Sequence, residues 1–299
     1  DVNGGIRNGY RSNMHYRSQT GNAHLEDSTK LVPDPRPAPR YANYTWRWSD
    51  ITSKPSFDAA PTDKPLAQQL NPTTSHPLSP NDLRRLAVNY NGRLGGIKAV
   101  DDQIKTLIAT LKSTNQLNNT LIVFTSDNGW LQGEHRVPGD KYLPYEESIR
   151  IPMIMRGPGI PANRKVSNLV TNVDFASTLL DAAKITNPGR TQDGISLLGL
   201  AKGTATVAPR AIGLEANAPL FADASMPQQW DQPYRGVRTD RWKYVVWGTG
   251  EEELYDLQAD PFELHNLASN SAYAATKSAL AAKADVLKTC AGSGCQVNQ

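Results

Sequence analysis

Asp127 and Asn128 stand at the end of Thr120-Leu121-Ile122-Val123-Phe124-Thr125, an apolar and β-branched run that stops abruptly at Ser126. A carboxylate beside an amide oxygen presents two hard oxygen donors, the kind that Ca2+ or Mg2+ selects. Farther on, Gly133-Glu134-His135 and Asp140-Lys141 supply an imidazole and an ammonium group. A lysine ammonium is a compact, strongly hydrated point charge. His135 either lines a substrate pocket or hydrogen-bonds a loop. A plainer reading covers the same residues. Asp-Asn-Gly is a favoured turn sequence, and Lys141 has Asp140 and Glu146 nearby as surface ion-pair partners.

Placing these groups takes elements that the sequence announces. Ser79 suits a helix cap and Pro80 a first helical position. Leu83, Leu86, Tyr90, Leu94, Ile97, Ile104, Leu107, Ile108 and Leu111 then recur at helical spacing, which predicts a long amphipathic helix eased at Gly95-Gly96. Thr120–Thr125 is expected as a strand buried on both faces, Ile151–Met155 as a second, and Asn172–Lys184 as a helix against them. Helix, strand, loop, strand and helix make an α/β organisation, in which ligands sit beyond the carboxyl ends of strands. That is where Asp127 and Asn128 fall. After about residue 205 the short runs "AIGLEA", "YRGVRTDRWKYVVW" and "EELYDL" predict a small antiparallel sheet, and the Ala-rich stretch Ser269–Cys290 a closing helix. The expected division is therefore 1–205 as the α/β part and 206–299 as sheet plus helix. Pro33, Pro35, Pro37 and Pro39 predict a pinned, extended surface segment.

The bulk properties narrow the partners. The 299 residues are 38% hydrophobic and 20% charged with a net charge of +3, and the basic residues are dispersed. No nucleic-acid patch and no membrane span are expected. Cys290 and Cys295 enclose Ala-Gly-Ser-Gly, so a small-loop disulfide is geometrically easy, while two thiolates fall short of the four ligands that zinc takes. With the sequons at Asn43 and Asn118, this predicts an exported setting, whether secreted, periplasmic or lysosomal. The start at Asp1, without Met and without a strand or helix pattern, reads as an internal cut.

"TSDNGW" followed by "GEHRVPGDKYLPYEESIRIPMIMRGPGI" closely resembles the type I sulfatases of the alkaline-phosphatase superfamily, in the branch of N-acetylglucosamine-6-sulfatase, arylsulfatase and the extracellular heparan endosulfatases. "LVTNVDFASTLLDAA", "QDGISLL", "YRGVRTDRWKYV", "ELYDLQADPFELHNLA" and "LKTCAGSGC" follow in the family's order, so the resemblance covers roughly residues 80 to 295. It implies an alkaline-phosphatase-like fold with a smaller C-terminal antiparallel-sheet subdomain, acting on a sulfated small molecule or glycan. It places one Ca2+ on Asp127 and Asn128, shared with two acidic residues from elsewhere, and puts Lys141 on the sulfate ester. The family's formylglycine arises from a Cys/Ser-x-Pro-x-Arg segment, and none occurs in these 299 residues. The early Asp-Asp pair and the Lys and His after the nucleophile are likewise missing, and Asp34 stands where a later active-site His is usual. The resemblance therefore implies a C-terminal portion that an N-terminal sulfatase half completes. The alternatives are a noncatalytic, degenerate relative that binds sulfated or carbohydrate ligands, and a phosphoryl-transfer member of the same superfamily.

Overall fold

The structure, a computed structural model, describes residues 48–65, 69, 75–139, 141–186, 188–216 and 233–299. The Pro33–Pro39 segment, Asp34 and Asn43 lie outside the described residues. Helix α1 (Trp48–Thr52) precedes the long helix α2 (Pro80–Ser113). The start of α2 follows its local chemistry. The Ser79 hydroxyl accepts the Asp82 amide at 3.1 Å, and the Asp82 carboxylate accepts the Ser79 amide at 3.1 Å, a reciprocal capping box ahead of Pro80. The helix runs unbroken through Gly95-Gly96. Its apolar stripe is packed only near the start, where Leu86 and Tyr90 are buried, while Ile97, Val100 and Leu107 are exposed.

Strand β1 (Ile122–Thr125) pairs antiparallel with β2 (Met153–Arg156), with Ile122 opposite Arg156 and Thr125 opposite Met153. The expectation of burial on both faces is corrected here. All four residues of β1 are half-buried, and Ile154 and Arg156 in β2 are exposed. Among the described residues the pair forms a two-stranded ribbon with no neighbouring strand to bury its edges. Between the two strands lies the short helix α3 (Glu146–Ile149), and beyond them α4 (Asp174–Ala182) and α5 (Leu198–Lys202). The start of α4 is fixed by Asp174, fully buried, whose carboxylate accepts the amides of Thr171 and Ile195 at 3.0 Å each and pairs with Arg210.

Strands β3 (Ile212–Ala216), β4 (Tyr234–Arg238), β5 (Trp242–Trp247) and β6 (Glu252–Asp256) form one antiparallel sheet in sequence order. Their two-residue alternation divides side chains between two layers. Tyr244 and Leu254 face helix α6 (Ala274–Thr289), where they meet Leu280 and Ala284. Val245, Trp247 and Tyr255 point to the other face and pack on Leu131, Val137, Leu143 and Tyr145, residues of the segment between β1 and α3. The small sheet is thus covered by its own helix on one side and by the candidate site's loop on the other. Cys290, which ends α6, is disulfide-bonded to Cys295 as expected, with Cα atoms 5.1 Å apart.

Candidate active site

The turn after β1 explains the Asp-Asn-Gly sequence. Asp127 Oδ1 accepts the Asn128 amide at 2.9 Å and the Ser126 hydroxyl at 3.3 Å. The Asn128 side-chain NH2 donates to the Gly129 carbonyl at 2.6 Å, which leaves its amide oxygen facing away from that bond. The hydrogen bond from the Asn128 amide is the main reason that the exposed Asp127 carboxyl lies below its ordinary range, and the Lys141 charge adds to it. Gly129 is required by close approach. A Cβ there would sit 2.0 Å from the Glu147 carbonyl oxygen, because the Gly129 and Trp130 amides donate to the carbonyls of Ser148 and Glu147 at 2.7 Å each. The strand end is therefore stitched to α3.

The loop from Trp130 to Tyr145 turns back at Gly133, with φ of 109°, and at Gly139, with φ of 132°. Residues 56–58 hold it through the His135 amide to the Ser56 carbonyl at 2.8 Å and the Asp58 amide to the Gly133 carbonyl at 2.9 Å. Burial of Leu131, Val137 and Leu143 against the C-terminal sheet then fixes where its far end emerges. Lys141 stands at that end, half-buried, and it lines one broad cleft with Asp127 and Asn128. Three of the four residues singled out from the sequence thus line the same cleft. Two oxygen donors and an ammonium group in one cleft are the kinds of group that can hold a cation and an anionic ester.

His135 is placed elsewhere. It is 2% exposed, stacked on Tyr145 with ring centroids 4.2 Å apart, and held at a φ of 53° that a side-chain-bearing residue seldom adopts. Burial, with the positive charges of Lys64 and Lys243 behind it, pushes its pKa well below the usual imidazole range. A neutral core imidazole is what this geometry supports.

Around His135 lies a network with no local sequence signal. Glu263, fully buried, accepts the Glu146 amide on Oε2 at 2.7 Å and pairs with Lys243, also fully buried. Lys243 and Arg238 also face Glu146, at 3.4 and 3.1 Å, and hold its carboxyl below the ordinary range although burial pushes it up. Lys64 donates to the Tyr255 hydroxyl at 2.6 Å and to the Glu263 carbonyl, and Tyr145 donates to Glu253 at 3.1 Å. These contacts clamp α3, and with it the site's floor, to the C-terminal sheet.

On the opposite side of α3, burial, and then the neighbouring Glu134, pushes the Glu147 carboxyl up to about 7. Its folded pKa exceeds the unfolded one, so the stability present below about pH 4.5 is lost as pH rises toward about 7. Glu147→Gln removes that loss. Lys54 keeps Glu134 at 2.7 Å as its partner in the variant. The expected result is no gain over wild type near about pH 4 and a gain of up to about 3 kcal/mol above about pH 8, read from urea melts at both.

Comparisons with known proteins give the family. The sulfatase family profile matches residues 15–185, and the C-terminal profile of N-sulphoglucosamine sulphohydrolase matches residues 133–289. The chain belongs to the sulfatase family. It is 32% identical over 286 residues to an arylsulfatase of Volvox carteri, covering 83% of this chain and 39% of that protein. It is 31% identical over 219 residues to the N-acetylglucosamine-6-sulfatase of Bos taurus, covering 65% of this chain and 39% of that one. A solved structure holding its substrate D-glucosamine-2-N,6-O-disulfate is similar with a TM-score of 0.61 and 30% identity, over 69% of this chain and 42% of that one. The chain thus spans about two fifths of the length of the relatives it matches. The alkaline-phosphatase-like sulfatase fold expected from the motifs is the fold of these neighbours.

Proposed function

We propose that these residues form the C-terminal portion of a sulfuric ester hydrolase, which cleaves sulfate esters of a carbohydrate or aryl substrate once completed by the part carrying the nucleophile. The observation that carries this reading is that Asp127, Asn128 and Lys141 line one cleft. Residues 1–205 belong to the catalytic α/β part, and residues 206–299 hold its site loop from behind.

The donor types of Asp127 and Asn128 fit a hard cation such as Ca2+. Two donors fall short of the roughly six to eight oxygens that Ca2+ takes, and no group of three or more acidic, His or Cys side chains able to hold a metal occurs among the described residues. The remaining ligands, the formylglycine and an N-terminal sulfatase half are assigned to sequence beyond these 299 residues. When bound, Ca2+ polarises the sulfate oxygens. Asp127 and Asn128 anchor one side of that ion, and Lys141 stabilises charge on the departing ester oxygen.

The relatives support an exported setting. One is named an extracellular sulfatase in Drosophila melanogaster. The Cys290–Cys295 bond agrees with it, and Asn118, exposed in the turn before β1, is an accessible glycan acceptor. Turnover by the complete protein, read as sulfate release from 6-O-sulfated glucosamine and as phenol release from an aryl sulfate and an aryl phosphonate monoester, tests the reading. Turnover of either sulfate ester above the phosphonate is expected. Binding of the sulfated sugar without release instead establishes the noncatalytic alternative. Preference for the phosphonate moves the chain toward a neighbour of another chemistry, the phosphonate monoester hydrolase of Agrobacterium radiobacter, 27% identical with a TM-score of 0.59.

A further inference from the structure

We infer that Ser148 is a positioning residue that helps to set Lys141 in register with the Asp127–Asn128 pair. The inference rests on the roles of Lys141 and of that pair proposed above. Ser148 is 2% exposed and lies on α3. Its hydroxyl donates to the backbone carbonyl of Lys141, and its own carbonyl accepts the Gly129 amide at 2.7 Å. One residue therefore holds both arms of the site, the side chain taking one arm and the backbone the other. Its position is fixed in turn, because Glu263 binds the Glu146 amide at the start of α3 and the Ser148 amide donates to the Tyr145 carbonyl at 2.8 Å. The local sequence gives another reason for a serine. A buried hydroxyl needs a partner, and an alanine would fill the space yet leave the Lys141 carbonyl without this donor.

The two arms respond differently to substitution. Alanine keeps the backbone bond to Gly129, so the metal arm stays, while the lysine arm loses its bond to the hydroxyl. Misplacing a catalytic group by about 1 Å costs on the order of a hundredfold in rate. Because Lys141 acts on the departing oxygen, that loss must grow as the leaving group becomes poorer.

The test uses the complete enzyme and a series of aryl sulfates of graded leaving-group pKa, with wild type, Ser148→Ala, Ser148→Thr and Lys141→Ala compared. The expected result for Ser148→Ala is a loss of about tenfold with the best leaving group and about a hundredfold with the poorest, with Ca2+ affinity unchanged. Lys141→Ala shows the same slope more steeply, and Ser148→Thr, which keeps the hydroxyl, returns toward wild type. A loss in Ser148→Ala that is uniform across the series, or that tracks a loss of Ca2+ affinity, overturns the role of Ser148 while leaving that of Lys141 standing. A flat series in Lys141→Ala removes the lysine reading and this inference with it. Thermal melts accompany each variant. If Ser148→Ala does not fold, Ser148→Cys, with its weak S–H donor, stands in for it under the same criteria.

Discussion

Lys141→Ala in the complete enzyme should lower turnover of a sulfate ester by about 10²–10³-fold, the range found when one preorganised donor to a developing oxyanion is removed. The reason is positional. Lys141 leaves the buried part of its loop at the cleft wall, and the hydrophobic side chains that anchor the loop, Leu131, Val137, Leu143 and Tyr145, lie on the other side. Removing a half-buried ammonium therefore takes away charge without opening a cavity, and the melting temperature should stay within about a degree or two of wild type. Steady-state rates and melts on the same preparation check both halves. Wild-type turnover in the variant would return Lys141 to the role of a surface ion-pair residue.

The largest stability effect is expected at Glu263. Glu263→Ala takes the partner of a fully buried lysine and the acceptor of the Glu146 amide in one step. Breaking a buried ion pair from one side costs about 3–5 kcal/mol, because the remaining charge is left desolvated. The lower end applies here, since Lys243 still faces Glu146 at 3.4 Å. Glu263→Gln keeps an acceptor for the Glu146 amide and should cost less. Urea unfolding of the two variants measures the difference. Equal and negligible losses in both would mean that the sheet and the site loop are held by their apolar layer alone.

What the sequence shows and what it hides divide along sequence separation. Ser79, Pro80 and Asp82 specify the start of α2 within a few residues, so the cap was legible. The short β-branched runs marked β1, β2 and the four strands of the C-terminal sheet for the same reason. That Asp127, Asn128 and Lys141 line one cleft could be anticipated because a strand end and a dense motif place them. Burial was harder to read. Ile97 and Leu107 keep helical spacing with Leu86 and Tyr90, yet periodicity reports an apolar face and not whether anything covers it. The half-exposed β1–β2 ribbon repeats that lesson for strands. The sequence leaves His135 open between a substrate pocket and a loop hydrogen bond, because Lys64, Lys243 and Tyr145 surround it in the core only after folding. The links through Glu263 and Lys243 join residues far apart in the chain, so no local pattern could announce them.

The most direct measurement is Ca2+ binding and sulfate-ester turnover in Asp127→Ala of the complete enzyme, followed over a Ca2+ titration. Asp127 is exposed at the cleft and, among the described residues, its side chain hydrogen-bonds within its own turn, so its loss should leave the fold intact. The account predicts loss of the bound Ca2+ and of turnover at every Ca2+ concentration reached, with an unchanged melt of the Ca2+-free protein. Full Ca2+ occupancy with wild-type turnover would contradict it, and Asp-Asn-Gly would then be a turn and nothing more.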